Sequence, residues 1–158
     1  MSHGGHGQEA GDAASLNRVA LSATRHCLTG CAIGEIVGTV AGAALALSSQ
    51  VTLVLGLVLA FVFGYSLTLV PLLRSSIPLT RALGITFAAD TVSIVVMETV
   101  DNLFVLLVPG AMDAGVTDVL FWGSLIVGLG IAFVIAFPVN RWLIARGRGH
   151  AVAHGAHR

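Results

Sequence analysis

Four long apolar runs, separated by short polar stretches, organise the chain. They cover about residues 24–47, 51–73, 82–108 and 119–144, and the first is interrupted only by Glu35. The separators are a "SSQ" turn at Ser48–Gln50, an arginine-bracketed "RSSIPLTR" loop at Arg74–Arg81 and "PGAMDAGVTD" at Pro109–Asp118. Each run is long enough to cross a hydrocarbon layer of ~30 Å as a helix rising ~1.5 Å per residue. Lipid offers no partner to a free backbone amide, and four strands could not close a barrel, so helix is the only spanning form. The third run would be about 40 Å long and must tilt or leave its first turn outside the hydrocarbon. The pattern predicts an all-α integral membrane protein, an antiparallel bundle of four transmembrane helices over residues 24–145. A polar, disordered tail (1–23) is expected before it and a His/Arg-rich tail (146–158) after it.

Composition agrees with the pattern. The chain is 56% hydrophobic and 10% charged, whereas a soluble domain is roughly a quarter charged, so polar residues cannot cover it. There is no lysine, and arginines balance carboxylates to a net charge of zero, which gives no case for nucleic acid. Arginine placement is more informative. Arg18 and Arg25 precede the first run, Arg74 and Arg81 lie between the second and third, and Arg141, Arg146, Arg148 and Arg158 follow the fourth. The positive-inside rule then puts both termini in the cytoplasm, as in a multi-pass protein of a bacterial inner membrane. The opening "MSHGGHGQEAGDAASLN" has no apolar core, so the first helix is expected to act as its own insertion signal. Trp122 and Trp142 suit interface anchors.

The first run carries Gly30, Gly34, Gly38 and Gly42, one stripe of small residues that lets another backbone approach. Such a helix is expected to sit against a partner helix, and a bundle this small suggests a homo-oligomer. Cys27, Cys31 and Glu35 lie beside the stripe and so face inward, with His26 next to Cys27 in sequence but about 100° away around the helix. The thiols, one turn apart, could hold a metal ion or act in redox chemistry. Cysteine is also a small apolar residue that packs well, and the two readings stay open. The cytoplasmic side keeps such thiols reduced.

The third run reads "ADTVSIVVMETVDN". Asp90, Met97 and Asp101 share an arc of about 40°, with Glu98 about 80° from Asp90 and Asn102 close by. A charged, unpaired carboxylate at this depth costs several kcal/mol, so these groups must be protonated, hydrogen-bonded or cation-bound. No arginine lies at their depth. Counting down from Arg25 and Arg81 gives Glu35 and Asp90 similar depths, about 13–15 Å, so the two are expected to meet. A set of Cys, Met and carboxylate ligands suits copper or zinc better than magnesium. His3, His6, His150, His154 and His157 in the tails could recruit such ions, or the tails could be ordinary polar ends.

Together "HCLTGCAIGE", "FVFGYSLTLVPLL", "ADTVSIVVMETVDN" and "FPVNRWLIARGRGH" resemble the small bacterial and archaeal membrane proteins catalogued as domain of unknown function 4396, over about Arg25–His150. The resemblance implies a polytopic membrane protein and no particular activity.

Three functions fit these residues. The first is cation binding and transport, most naturally of copper or zinc, with Cys27, Cys31, His26, Glu35 and Met97 as ligands near a cytoplasmic mouth and Asp90, Glu98, Asp101 and Asn102 as the path inward. The second is proton-coupled transport of a small solute with no metal. The third is a structural or assembly subunit that docks through its glycine stripe. An enzyme is not expected, for the chain has no sizeable domain outside the membrane and no nucleophile-elbow, zinc-protease or phosphate-loop motif.

Overall fold

A computed structural model describes residues 5–75 and 78–146, with side-chain surroundings from residue 13 onward apart from Ala89. All regular structure among the described residues is helical: α1 (Gly5–Ala44), α2 (Ser49–Arg74), α3 (Leu79–Leu107), a short 3-10 turn (Ala111–Asp113) and α4 (Val119–Ala145). Ala13–Ala44, Ser49–Arg74 and Val119–Ala145 are each long and apolar enough to cross a membrane. α3 meets that description only as a bent pair, Leu79–Ala88 and Asp90–Leu107, meeting at 41°. At the bend the Thr91 hydroxyl donates to the Phe87 carbonyl at 2.6 Å. Back-bonding of this kind competes with the helical ladder and bends helices.

α1 begins far ahead of the expected boundary. The stretch expected to be a disordered tail is helical from Gly5. Its inner face is held by packing: Ala20 and Ala23 are buried with Ile144, backed by Leu16, Val19 and Phe137. The Arg141 Nε also donates to Asn17 Oδ1 at 2.6 Å. His6 lies on this helix, but its side chain is outside the described residues, as are His3 and the histidines of the C-terminal tail.

The glycine stripe of α1 is covered by α2. A Cβ added at Gly30 would lie 2.6 Å from the Gly64 Cα, and one at Gly38 would lie 2.5 Å from the Gly56 Cα. At Gly34 it would overlap the backbone of Ala60, and at Gly42 the Thr52 side chain. Each step of four down α1 is thus a step of four back along α2, so the two run antiparallel. α2 answers with its own small residues, Gly56, Ala60, Gly64 and Thr68, all buried. Two backbones in van der Waals contact are what small residues permit where burial from water gives no drive. The stripe therefore docks inside the chain, against α2.

Outward-facing positions are apolar. Val54, Val58 and Val62 on α2, Phe87 and Leu106 on α3, and Ile126 and Val134 on α4 are all at least half exposed. This is the surface expected of helices in a lipid environment, since contact with acyl chains costs an apolar side chain nothing.

One buried amide ties three helices together near the arginine-bearing end. Asn140 Nδ2 donates to Thr24 Oγ1 at 2.9 Å and to Ser93 Oγ at 3.0 Å, joining α4 to α1 and α3. All three residues are buried. Asn140→Leu removes both bonds and the link they make between α1, α3 and α4, so thermal unfolding in detergent should report a loss of about 1–3 kcal/mol. An unchanged melting temperature would show that this node carries no stability.

Candidate functional site

α1 and α3 run side by side in the same direction and build a ladder of polar groups in the interior. At the first rung Cys27 Sγ lies 4.0 Å from Asp90 Oδ1 and within hydrogen-bonding reach of Ser93. At the second, the Cys31 thiol is within reach of the Glu98 carboxyl. Glu98 also accepts at Oε2 from Asn102 Nδ2, at 3.1 Å, while the same amide donates to the Glu98 backbone carbonyl at 2.8 Å. At the third rung the Glu35 and Asp101 carboxyls reach each other. Asp90, Glu98 and Asp101 are at most 2% exposed, which puts three carboxyls of one helix wholly inside the protein.

The third rung pairs two carboxyls where each of the others sets a thiol against one. No donor among the described residues reaches Oε1 of Glu35 or Oδ1 of Asp101, and the same holds for Oε1 of Glu98. Two bare carboxylates in contact would repel, so the pair needs a proton between them or a cation beside them. α4 makes room for it with a gap. A Cβ added at Gly128 would fall on Asp101 Oδ1 and lie 3.2 Å from the Phe104 ring.

The expected meeting of Glu35 with Asp90 does not occur. Asp90 stands opposite Cys27, and Asp101 is the residue that meets Glu35. The depth count took Arg25 and Arg81 as marks of one plane. α1 in fact extends well beyond Arg25, with Asn17 level with Arg141 on α4, and α3 is bent between Leu79 and Asp90.

The expected metal entrance also fails to assemble. His26 turns towards α2, where its Nε2 lies 3.0 Å from Thr68 Oγ1. Cys27 and Cys31 each face a different carboxyl instead of converging. Met97 is fully buried in the apolar cluster with both cysteines and Ile94. Among the described residues no three His, Cys, Asp or Glu side chains are arranged to hold a metal ion.

Some residues of the site carry no signal in a reading of α1 and α3 alone. Asn140 is an isolated amide in the apolar stretch "FPVNRW", which is the one cue that could have flagged it. Gly128 is one of several glycines in α4 and is singled out only by its neighbour. Tyr65, whose hydroxyl pairs with Thr91 Oγ1 at 2.9 Å, packs edge-on against Phe61 beside the bend in α3.

These features, four inward carboxyls and two inward thiols on α1 and α3 and a polar node on α4, all fall within one family's sequence profile. That profile, described as a domain of unknown function, DUF4396, matches residues 16–149. The chain belongs to the DUF4396 family. The match takes in the described part of α1 from Leu16 and all of α2, α3 and α4, so every rung of the ladder lies in the DUF4396 region. No curated protein and no solved structure matches the chain.

Proposed function

We propose that this DUF4396 protein is a proton-binding membrane protein whose carboxyl ladder serves proton-coupled transport of a small solute. In this reading it crosses the membrane four times, with the bent α3 as one span. The described arginines gather at the end where α1 and α3 begin and α2 and α4 finish. The positive-inside rule then places that end, and both termini, in the cytoplasm. The observation that carries the function is the Glu35–Asp101 pair: two carboxyls in mutual reach, in an apolar bundle, with no donor among the described residues to Oε1 or Oδ1. A proton satisfies that arrangement most simply, and intramembrane carboxyls without a basic partner mark ion or proton paths. Copper or zinc is a poorer fit because the soft ligands do not converge. A docking role through the glycine stripe is a poorer fit because α2 already occupies the stripe.

Dicyclohexylcarbodiimide, which attacks protonated carboxyls in apolar surroundings, tests the reading. Treatment of the full chain in membranes should add one N-acylurea to Glu35 or Asp101, seen by peptide mass spectrometry, and leave Asp113 and Asp118 unmodified. The carboxylic C=O infrared band of the purified protein should persist at neutral pH. Absence of both adduct and band would show that the interior carboxyls hold no proton and would refute the function.

A further inference from the structure

The two ends of the ladder are built differently. Towards the arginine-bearing end, the interior is packed and bolted. Asn140 holds Thr24 and Ser93, and Cys27 and Cys31 lie between that node and the carboxyl pair with at most 1% exposure. Towards the other end lies an open cavity of about 80 Å³. Glu35 and Asp101 form its floor, and Ser49, Ala111, Met112 and Ala114, at the turn between α1 and α2 and around the 3-10 turn, belong to its outer wall. Between floor and rim stand the polar side chains of Thr39, Thr52, Asn102 and Ser124. Among the described residues no arginine or histidine lines it, so no cationic side chain there repels a proton or favours an anion.

From this asymmetry we infer that the cavity is a water-filled vestibule opening on the arginine-free face of the membrane, and that the Glu35–Asp101 pair exchanges its proton through it. The inference rests on the proton-binding reading above and gives it a side. A buried water needs room and two to four polar partners, and the hydroxyls and amide between floor and rim supply them at successive depths. In the exchange a carboxyl O–H bond breaks and its proton joins a vestibule water as hydronium. The pair keeps the bonding electrons and one negative charge until another proton returns. Ser49 Oγ donates to Asp113 Oδ1 at 2.5 Å, linking the start of α2 to the 3-10 turn. This brace holds the rim in place beside the mouth. The Asn140 node is the seal at the opposite end, so in this conformation the pair has access to one side.

Access is tested with one added cysteine per variant, at Thr39→Cys or Thr52→Cys, and at Ala136→Cys as a position inside the sealed half, where Ala136 is fully buried. The native chain, whose two thiols are buried, gives the background. A membrane-impermeant maleimide added to intact cells should label the first two variants fully and leave Ala136→Cys at background. Two positions in the vestibule guard against one of them failing to fold. Labelling only after the cells are opened would place the mouth on the cytoplasmic side and overturn the inference. Labelling by a lipid-soluble maleimide alone would show a mouth facing the bilayer and overturn it too. Labelling at Ala136→Cys equal to that at Thr39→Cys would remove the seal and do the same. These arms read access and do not depend on the carbodiimide result, so a vestibule without a proton would show itself as labelling without adduct. The proton arm uses the labelled Thr39→Cys protein, in which deuterium exchange of the carboxylic C=O band should be lost. Exchange at the native rate would overturn the route.

Discussion

Gly34→Leu should yield no monodisperse protein from detergent extracts, and Gly34→Ala should lower the melting temperature steeply. The added Cβ at this position would overlap the Ala60 backbone and sit 2.8 Å from the Leu59 carbonyl carbon. Backbone atoms cannot rotate aside as a side chain can, so α1 and α2 must part. Parting them undoes the matched contacts at Gly30–Gly64 and Gly38–Gly56 as well. Overpacking typically costs 1–3 kcal/mol when side chains can yield, and about the upper end or more is expected here even for alanine. Against a total stability of roughly 5–15 kcal/mol, leucine at the same place is expected to abolish folding. Gly123→Ala and Gly84→Ala provide the contrast, because an added Cβ there has nothing within 4 Å. They should melt at or slightly above the native temperature, since alanine favours helix over glycine by about 1 kcal/mol. Equal melting temperatures for Gly34→Ala and Gly123→Ala would mean that the α1–α2 contact is not as tight as described.

Glu35→Gln should abolish the carbodiimide adduct at the third rung and remove the carboxylic band that belongs to it, while changing the melting temperature little. The amide is nearly isosteric with the acid and can donate to Asp101, so it replaces the proton of the pair with a permanent hydrogen bond. A buried neutral hydrogen bond of this kind differs from its parent by about 1 kcal/mol. Any proton-driven activity that passes through the pair should vanish with it. The paired substitution Cys27→Ser with Cys31→Ser is the companion measurement. If protons are what the ladder carries, that variant keeps both the adduct and the band, because the thiols reach Asp90, Ser93 and Glu98 and the Glu35–Asp101 contact does not pass through them. Loss of the adduct in the thiol variant, together with a transition metal in the native protein by mass spectrometry, would return the metal reading to first place.

Much of the fold is legible in the pattern of apolar runs. α2 and α4 begin and end within two residues of the stretches predicted for them, and the Pro109–Asp118 segment is a break as expected, but α2 takes in Ser49 and Gln50 of "SSQ", so the turn before it falls at residues 45–48. α3 is legible as an element but not as a bent one: a Thr91 hydroxyl bonded to the Phe87 carbonyl lies at the bend, and neither residue type marks a bend in the sequence. The start of α1 is misread for a related reason. The stretch before Thr24 is too polar to span a membrane, yet Leu16, Val19, Ala20 and Ala23 form a narrow apolar stripe that is stable once the end of α4 is there to meet it.

The candidate site divides in the same way. That Cys27, Cys31, Glu35, Asp90, Glu98 and Asp101 turn inward follows from the cost of charge in lipid and from helical periodicity, both readable from residue types and spacing. Which of them meet does not follow. Pairing Glu35 with Asp101 instead of Asp90 depends on how far α1 slides along α3, and that offset is set by α1–α2 glycine contacts, the bend in α3 and the Asn17–Arg141 bond. The cavity, its polar wall and the Asn140 node are likewise products of assembly, built from residues tens of positions apart. The sequence by itself determined a helical membrane-type protein with acids and thiols facing its interior, because solvation free energy acts on each residue separately. Only the tertiary structure decided that the thiols do not converge on a metal, that the glycine stripe is satisfied within the chain, and that the carboxyl pair lies at the floor of a cavity. Those outcomes depend on helix offset, and an offset is a sum of many small contacts that no single stretch of sequence contains.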